Sequence, residues 1–115
     1  MADDSRPLQF AKHKITLMAQ SSAAKTMYVP AAFRDELKPF GTNRVWSIFC
    51  PCEDLPAEFS FRFKRGTQYS DSFIFAGEWR RFCTHFNLGR NDVCVFKIMS
   101  PELNLLKVVI ERNNA

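Results

Sequence analysis

No stretch of this 115-residue chain approaches the roughly 20 consecutive apolar residues that a helix needs to cross a bilayer. The opening Met1-Ala2-Asp3-Asp4-Ser5-Arg6 is acidic where a secretory signal would be apolar. Membrane-spanning and exported readings are therefore not expected. Catalytic signatures are missing too: there is no Gly-rich phosphate loop, no serine flanked as a nucleophile elbow and no His-Glu-x-x-His. The paired acids Asp3-Asp4, Asp35-Glu36 and Glu53-Asp54 have the neighbours of solvated loops and helix surfaces. With only His13 and His85 available, nothing selects a partner for a cysteine nucleophile. The four cysteines, Cys50, Cys52, Cys83 and Cys94, do not fall at paired C-x-x-C zinc spacing. A protein that is not an enzyme, holding no metal and no cofactor, is the expectation, with Cys83 and Cys94 as small core residues.

What is present is phenylalanine, 12 residues against two tyrosines and two tryptophans. Hydrophobic residues make up 46% and charged residues 24%, the proportions of a single globular domain with a dense core rather than of a disordered chain. The formal net charge is +4, and the excess lies mainly after Ala57, where nine basic residues face six acidic ones. Such a charge is compatible with an anionic partner without identifying one.

Period-two alternation dominates the chain. Phe59-Ser60-Phe61-Arg62-Phe63 places three phenylalanines on one side of a strand and Ser60 and Arg62 on the other. Further strands are expected at 15–18, 27–29, 45–49, 72–75, 93–99 and 105–112. Two short helices are expected, at 30–37 with Pro30 in its first position and at 78–86. In the second, Trp79, Phe82, Cys83 and Phe86 make one apolar stripe at i, i+3, i+4 and i+7. Helix signals are too few for a parallel, doubly wound sheet, so the expected fold is mostly β: a seven-stranded open (pseudo)barrel with two short α-helices.

Two polar stretches between strands, 19–26 and 64–71, carry hydroxyls, amides and positive charge. Lys64 and Arg65 are suited to phosphate, the first as a point charge and the second as a planar fork. Gly66 would let backbone approach a phosphate closely. Gln20, Ser21, Arg65 and Gln68 have side chains able to read base edges in a major groove. From these residues alone, an ordinary solvated hairpin tip and a nucleic-acid contact both fit.

The order of motifs resembles that of plant B3 DNA-binding domains. Ile15-Thr16-Leu17, then Lys25-Thr26-Met27-Tyr28-Val29-Pro30-Ala31-Ala32-Phe33, is similar to the family's opening strand, loop and Pro-x-x-Phe motif. Gly77-Glu78-Trp79-Arg80-Arg81-Phe82-Cys83, Leu88 and Asp92-Val93-Cys94-Val95-Phe96-Lys97 resemble its second signature, and the Arg-Phe-Cys step is most like the reproductive-meristem subgroup. The chain departs from the pattern where Glu78 separates Gly77 from Trp79 and where Asn91 replaces a turn glycine. It also lacks the mid-domain Gly-basic-x-Trp, leaving Phe59 to take the packing role of that tryptophan.

The resemblance implies a B3-type domain over residues 10–112, after a flexible leader at 1–9 and before a tail at 113–115. It implies two loop arms that grip the major groove of double-stranded DNA, one near 18–25 and one near 64–70. Lys25, Lys64 and Arg65 would then meet phosphates, with Lys12 and Lys14 as weaker candidates. Gln20, Ser21, Ser22, Thr67, Gln68 and Tyr69 would face bases and sugar edges beside Gly66, while Arg80 and Arg81 would stay on a solvated helix face. A nuclear transcriptional regulator follows, with DNA and other transcription factors as partners. The alternative is a protein-interaction module that takes a peptide at a barrel edge, for which 105–110 is the candidate strand.

Overall fold

The computed structural model describes residues 10–17, 26–51, 58–66 and 72–112. Among them the chain forms seven strands: β1 (His13–Thr16), β2 (Met27–Val29), β3 (Arg44–Phe49), β4 (Phe59–Arg65), β5 (Phe73–Gly77), β6 (Val93–Ser100) and β7 (Leu105–Glu111). Two α-helices, α1 (Ala31–Leu37) and α2 (Trp79–His85), and a 3₁₀ turn at Lys38–Phe40 complete the described elements. The strands make one sheet in the order β1-β6-β7-β3-β4-β5-β2, curled into a half-barrel, as the alternation predicts. Every neighbouring pair is antiparallel except β3 and β7, which run parallel.

Alternation becomes a core because one face of each strand points inward. Phe59, Phe61 and Phe63 of β4 are buried while Ser60, Arg62 and Lys64 are exposed. Phe61 is the hub, with the rings of Phe75, Trp79, Phe82 and Phe96 all centred within 6.4 Å of it. Each phenylalanine buried this way contributes roughly 1.5–3 kcal/mol.

The helices close what the sheet leaves open. Phe33 of α1 stacks on His13 of β1 at 4.5 Å and meets Phe75 of β5 at 5.7 Å, bridging the two ends of the strand order. The stripe of α2 is buried as expected, at Trp79, Phe82, Cys83 and Phe86. Its end is a Schellman cap: Asn87 takes φ 50°, Leu88 N–H donates to the Cys83 carbonyl and Asn87 N–H to that of Thr84. Asn91, at φ 72°, does hold the turn before β6. Glu78 is built into the start of α2: its Oε1 accepts the Ser60 N–H at 2.8 Å, and its own N–H donates to the Ser60 carbonyl.

Three expectations are corrected. Pro30 precedes α1 in extended backbone instead of opening the helix. Lys64 and Arg65 belong to β4, paired with Ile74 and Phe73, because backbone ladder bonds form whatever the side-chain charge. The 105–110 strand is not an edge: β7 lies between β6 and β3, so a peptide has no ladder to join there. Arg44 braces this interior position through hydrogen bonds to the Asn104 side chain and the Pro101 carbonyl, and Ser47 N–H donates to the Asn104 carbonyl. The edges of the described sheet are β1 and β2.

Candidate nucleic-acid interface

The two polar loops leave opposite ends of the half-barrel. β1 enters the 18–25 segment at Leu17, and the chain re-emerges at Thr26 into β2, beside the C-terminal end of β5. β4 enters the 67–71 segment at Gly66 and returns at Ser72 into the start of β5. The base of this hairpin is tied by Gly66 N–H donating to the Ser72 carbonyl at 2.8 Å. A Cβ at Gly66 would come within 2.6 Å of the Ser72 hydroxyl oxygen, so close packing of the hairpin base already accounts for the glycine. Gln20, Ser21, Ser22, Lys25, Thr67, Gln68 and Tyr69 lie outside the described residues.

Between the loop bases lies the outer face of β2, β5 and β4. Ile74 is the cross-strand partner of both Tyr28 and Lys64, giving one row; Arg62, opposite Ala76, stands in the next. These three strands contain no aspartate or glutamate. Tyr28 is 58% exposed, a large ring held outward because its neighbours Met27 and Val29 turn inward. Arg62 donates to the Asn43 side-chain oxygen at 3.1 Å, so its guanidinium leans toward the start of β3, along the β4 margin of this face.

Lys64 and Arg65 leave the strand on opposite sides, as alternation requires. Lys64 joins Arg62 on the outer face. Arg65 turns to the rim, where its guanidinium lies 5.3 Å from the centre of the Phe73 ring, and the Lys38 ammonium lies 5.6 Å from the same ring. A basic rim therefore continues the basic face. Such an arrangement presents cations and one planar ring to a polyanion.

Other expected contributors sit elsewhere. Lys12 and Lys14 are exposed beside β6, on the far half of the strand order. Arg81 pairs with Glu78 at 3.1 Å and covers the Phe59 ring at 4.9 Å, and Arg80 is exposed beside it on α2. Arg62, Tyr28 and Lys38 are additions that the sequence reading did not place at the interface. The outward positions of Arg62 and Tyr28 were legible in the alternation; that their strands stand side by side was not.

Among the described residues no cluster of three His, Cys, Asp or Glu is placed to hold a metal. Burial, with Cys83 and Cys50 nearby, pushes the Cys94 thiol up to about 12, the opposite of what a nucleophilic thiol needs.

No protein-family model and no curated protein matches this chain. Solved structures do. A hypothetical Arabidopsis thaliana protein is 15% identical, covers 91% of this chain and 93% of its own, and superposes with a TM-score of 0.66. Arabidopsis FUS3, solved in complex with DNA, is 10% identical over 92% of this chain and 100% of its own, with a TM-score of 0.61. The N-terminal domain of Helicobacter pylori LlaJI.R1 is 8% identical over 90% and 83%, with a TM-score of 0.60. At such identities the likeness is one of architecture, and the half-barrel with its two short helices is a B3-like fold.

Proposed function

We propose that this chain is the double-stranded DNA-recognition domain of a plant transcriptional regulator, acting in the nucleus and most similar to the reproductive-meristem subgroup. The domain would comprise residues 10–112, between the 1–9 leader and the 113–115 tail. The observation that carries this reading is the outer face of β2, β5 and β4, three strands without an aspartate or glutamate of their own, bearing Arg62 and Lys64 and lying between the bases of two polar loops. The likeness of fold to FUS3, a protein solved with DNA bound, supports it.

Scale supports it as well. The five residues of β5 separate the loop bases by about 16 Å at ~3.3 Å per residue. A major groove is about 12 Å wide and recurs about every 34 Å along the duplex, so loops this far apart suit one groove approached from its two walls. Lys25, Lys64 and Arg65 meet phosphates in this scheme, joined by Arg62, and set the register. Gln20, Ser21, Ser22, Thr67, Gln68 and Tyr69 supply hydrogen-bonding groups for bases and sugar edges, with Gly66 at the foot of the second loop.

Selection from randomised duplex DNA at fixed, low salt tests the proposal. Retention of duplexes with enrichment of one motif is expected. Failure to retain any duplex would remove DNA binding from consideration.

A further inference from the structure

The outer faces of β1, β6 and β7 form a second surface, with different chemistry and on the other half of the strand order from the proposed DNA face. Lys14 lies opposite Val95, and Val95 opposite Val109. In the next row of the same face Lys97 lies opposite Lys107. With Lys12 and Met99, these residues line a shallow groove of about 430 Å³.

Two features of the groove are unexplained by folding. Lys97 and Lys107 are both half-buried and stand directly across the ladder from each other, a like-charge pairing that weakens a sheet. Among the described residues neither has an ion-pair partner, and the one carboxylate lining the groove, Glu111, lies 4.0 Å from Lys14 instead. The floor between the ammonium groups is apolar, with Val109 and Met99 exposed at 36% and 47%. A phosphate backbone would satisfy the lysines and leave that floor wet. Carboxylates interspersed with aliphatic side chains would satisfy both, and the unbranched thioether of Met99 adapts to such shapes.

We propose that this groove docks an acidic, aliphatic-bearing peptide segment of a partner protein. Its carboxylates sit on Lys12, Lys14, Lys97 and Lys107, and its apolar side chains on the exposed Val109 and Met99, with Val95 buried beneath them. The occupant differs from DNA in its need for the floor, which makes the proposal independent of the DNA-binding reading.

Fluorescence anisotropy of the full chain decides it, with a labelled peptide alternating glutamate with leucine and valine. The same peptide carrying serine at its apolar positions, and a labelled DNA duplex, are titrated alongside. The aliphatic peptide is expected to bind about tenfold more tightly than the serine version. Lys97→Gln with Lys107→Gln should weaken it by about tenfold, which is about 1.4 kcal/mol, or about 0.7 kcal/mol for each of the two ion pairs lost. Duplex affinity should stay within about twofold. Val109→Ser, at an exposed position, should weaken the aliphatic peptide and leave the serine peptide unchanged. Equal binding of both peptides, binding of neither, or a parallel loss of duplex and peptide affinity in the lysine variant would each overturn the proposal.

Discussion

Neutralising the basic face of β4 should change how DNA binding responds to salt more than any other surface substitution. The perturbation is Arg62→Gln, Lys64→Gln and Arg65→Gln together, which keeps a polar side chain at each position and removes three charges from an exposed strand end. Each phosphate contact contributes about 0.9 to the slope of log affinity against log salt, so three contacts contribute about 2.7. Across a fourfold rise in salt, from roughly 50 to 200 mM, that slope is worth about fortyfold in affinity. The wild-type chain should therefore lose about fortyfold more affinity than the variant over the same range. Each single variant should lower the slope by about 0.9, while Arg80→Gln with Arg81→Gln should leave it nearly unchanged. The Arg62–Asn43 hydrogen bond lost in the variant is exposed, and the Arg65–Phe73 contact is worth about 0.5–1 kcal/mol. Equilibrium anisotropy on one duplex at several salt concentrations measures the slopes, with circular dichroism reporting that the variant is folded. A folded triple variant with the wild-type slope would refute the assignment of this face to DNA.

Phe61→Ala should cost about 3–5 kcal/mol in urea unfolding, since it removes the ring that four others pack around. Gly77→Ala should also destabilise the fold, by at least about 1–2 kcal/mol in the same assay. Gly77 has φ 82°, and an added Cβ would stand 3.0 Å from the Ser60 carbonyl oxygen. Lys107→Glu should do the reverse and raise the unfolding free energy by about 0.2–1 kcal/mol, because it places opposite charges across the β6–β7 ladder. Alkaline pH should weaken the fold through Cys94. Its thiol ionises near 9.0 when unfolded and near 12 when folded, so the unfolded chain releases the proton first and stability falls as pH rises through that window. Urea midpoints at pH 8 and pH 10.5 measure the fall, and Cys94→Ala should flatten it.

Inward and outward positions were readable from the residues because burial writes itself into alternation. Phe59, Phe61 and Phe63 on one side, and Trp79, Phe82, Cys83 and Phe86 along one stripe, are where the periods place them. Partners were not readable, since a period of two assigns a face and says nothing of which strand lies alongside. β7 is apolar and late in the chain, which suits an edge; its interior place is made by the ladder to β3, beside which Arg44 reaches across to the 101–104 turn, and these are contacts between distant residues. Lys64 and Arg65 read as loop because charge favours solvent, yet ladder hydrogen bonds use only backbone atoms. The same gap hid the shared face of Arg62 and Tyr28, because β5 stands between β4 and β2 and brings together strands far apart in sequence.

The strand order also separates the two surfaces in the time of synthesis. β2, β3, β4 and β5 all fall within residues 27–77 and ladder in that neighbourhood of the sheet, so every strand of the face bearing Arg62, Lys64 and Tyr28 is synthesised before β6 and β7. The lysine groove is assembled from both extremes of the chain, because β1 has no ladder until β6 arrives. A truncation after residue 92 would leave β1 without its partner, bare the side of β3 that β7 covers and take Phe96, Ile98, Leu106 and Val108 out of the core. A partner seated in the groove would thus engage only those molecules whose last two strands have docked, and so would distinguish the mature fold from a nascent one.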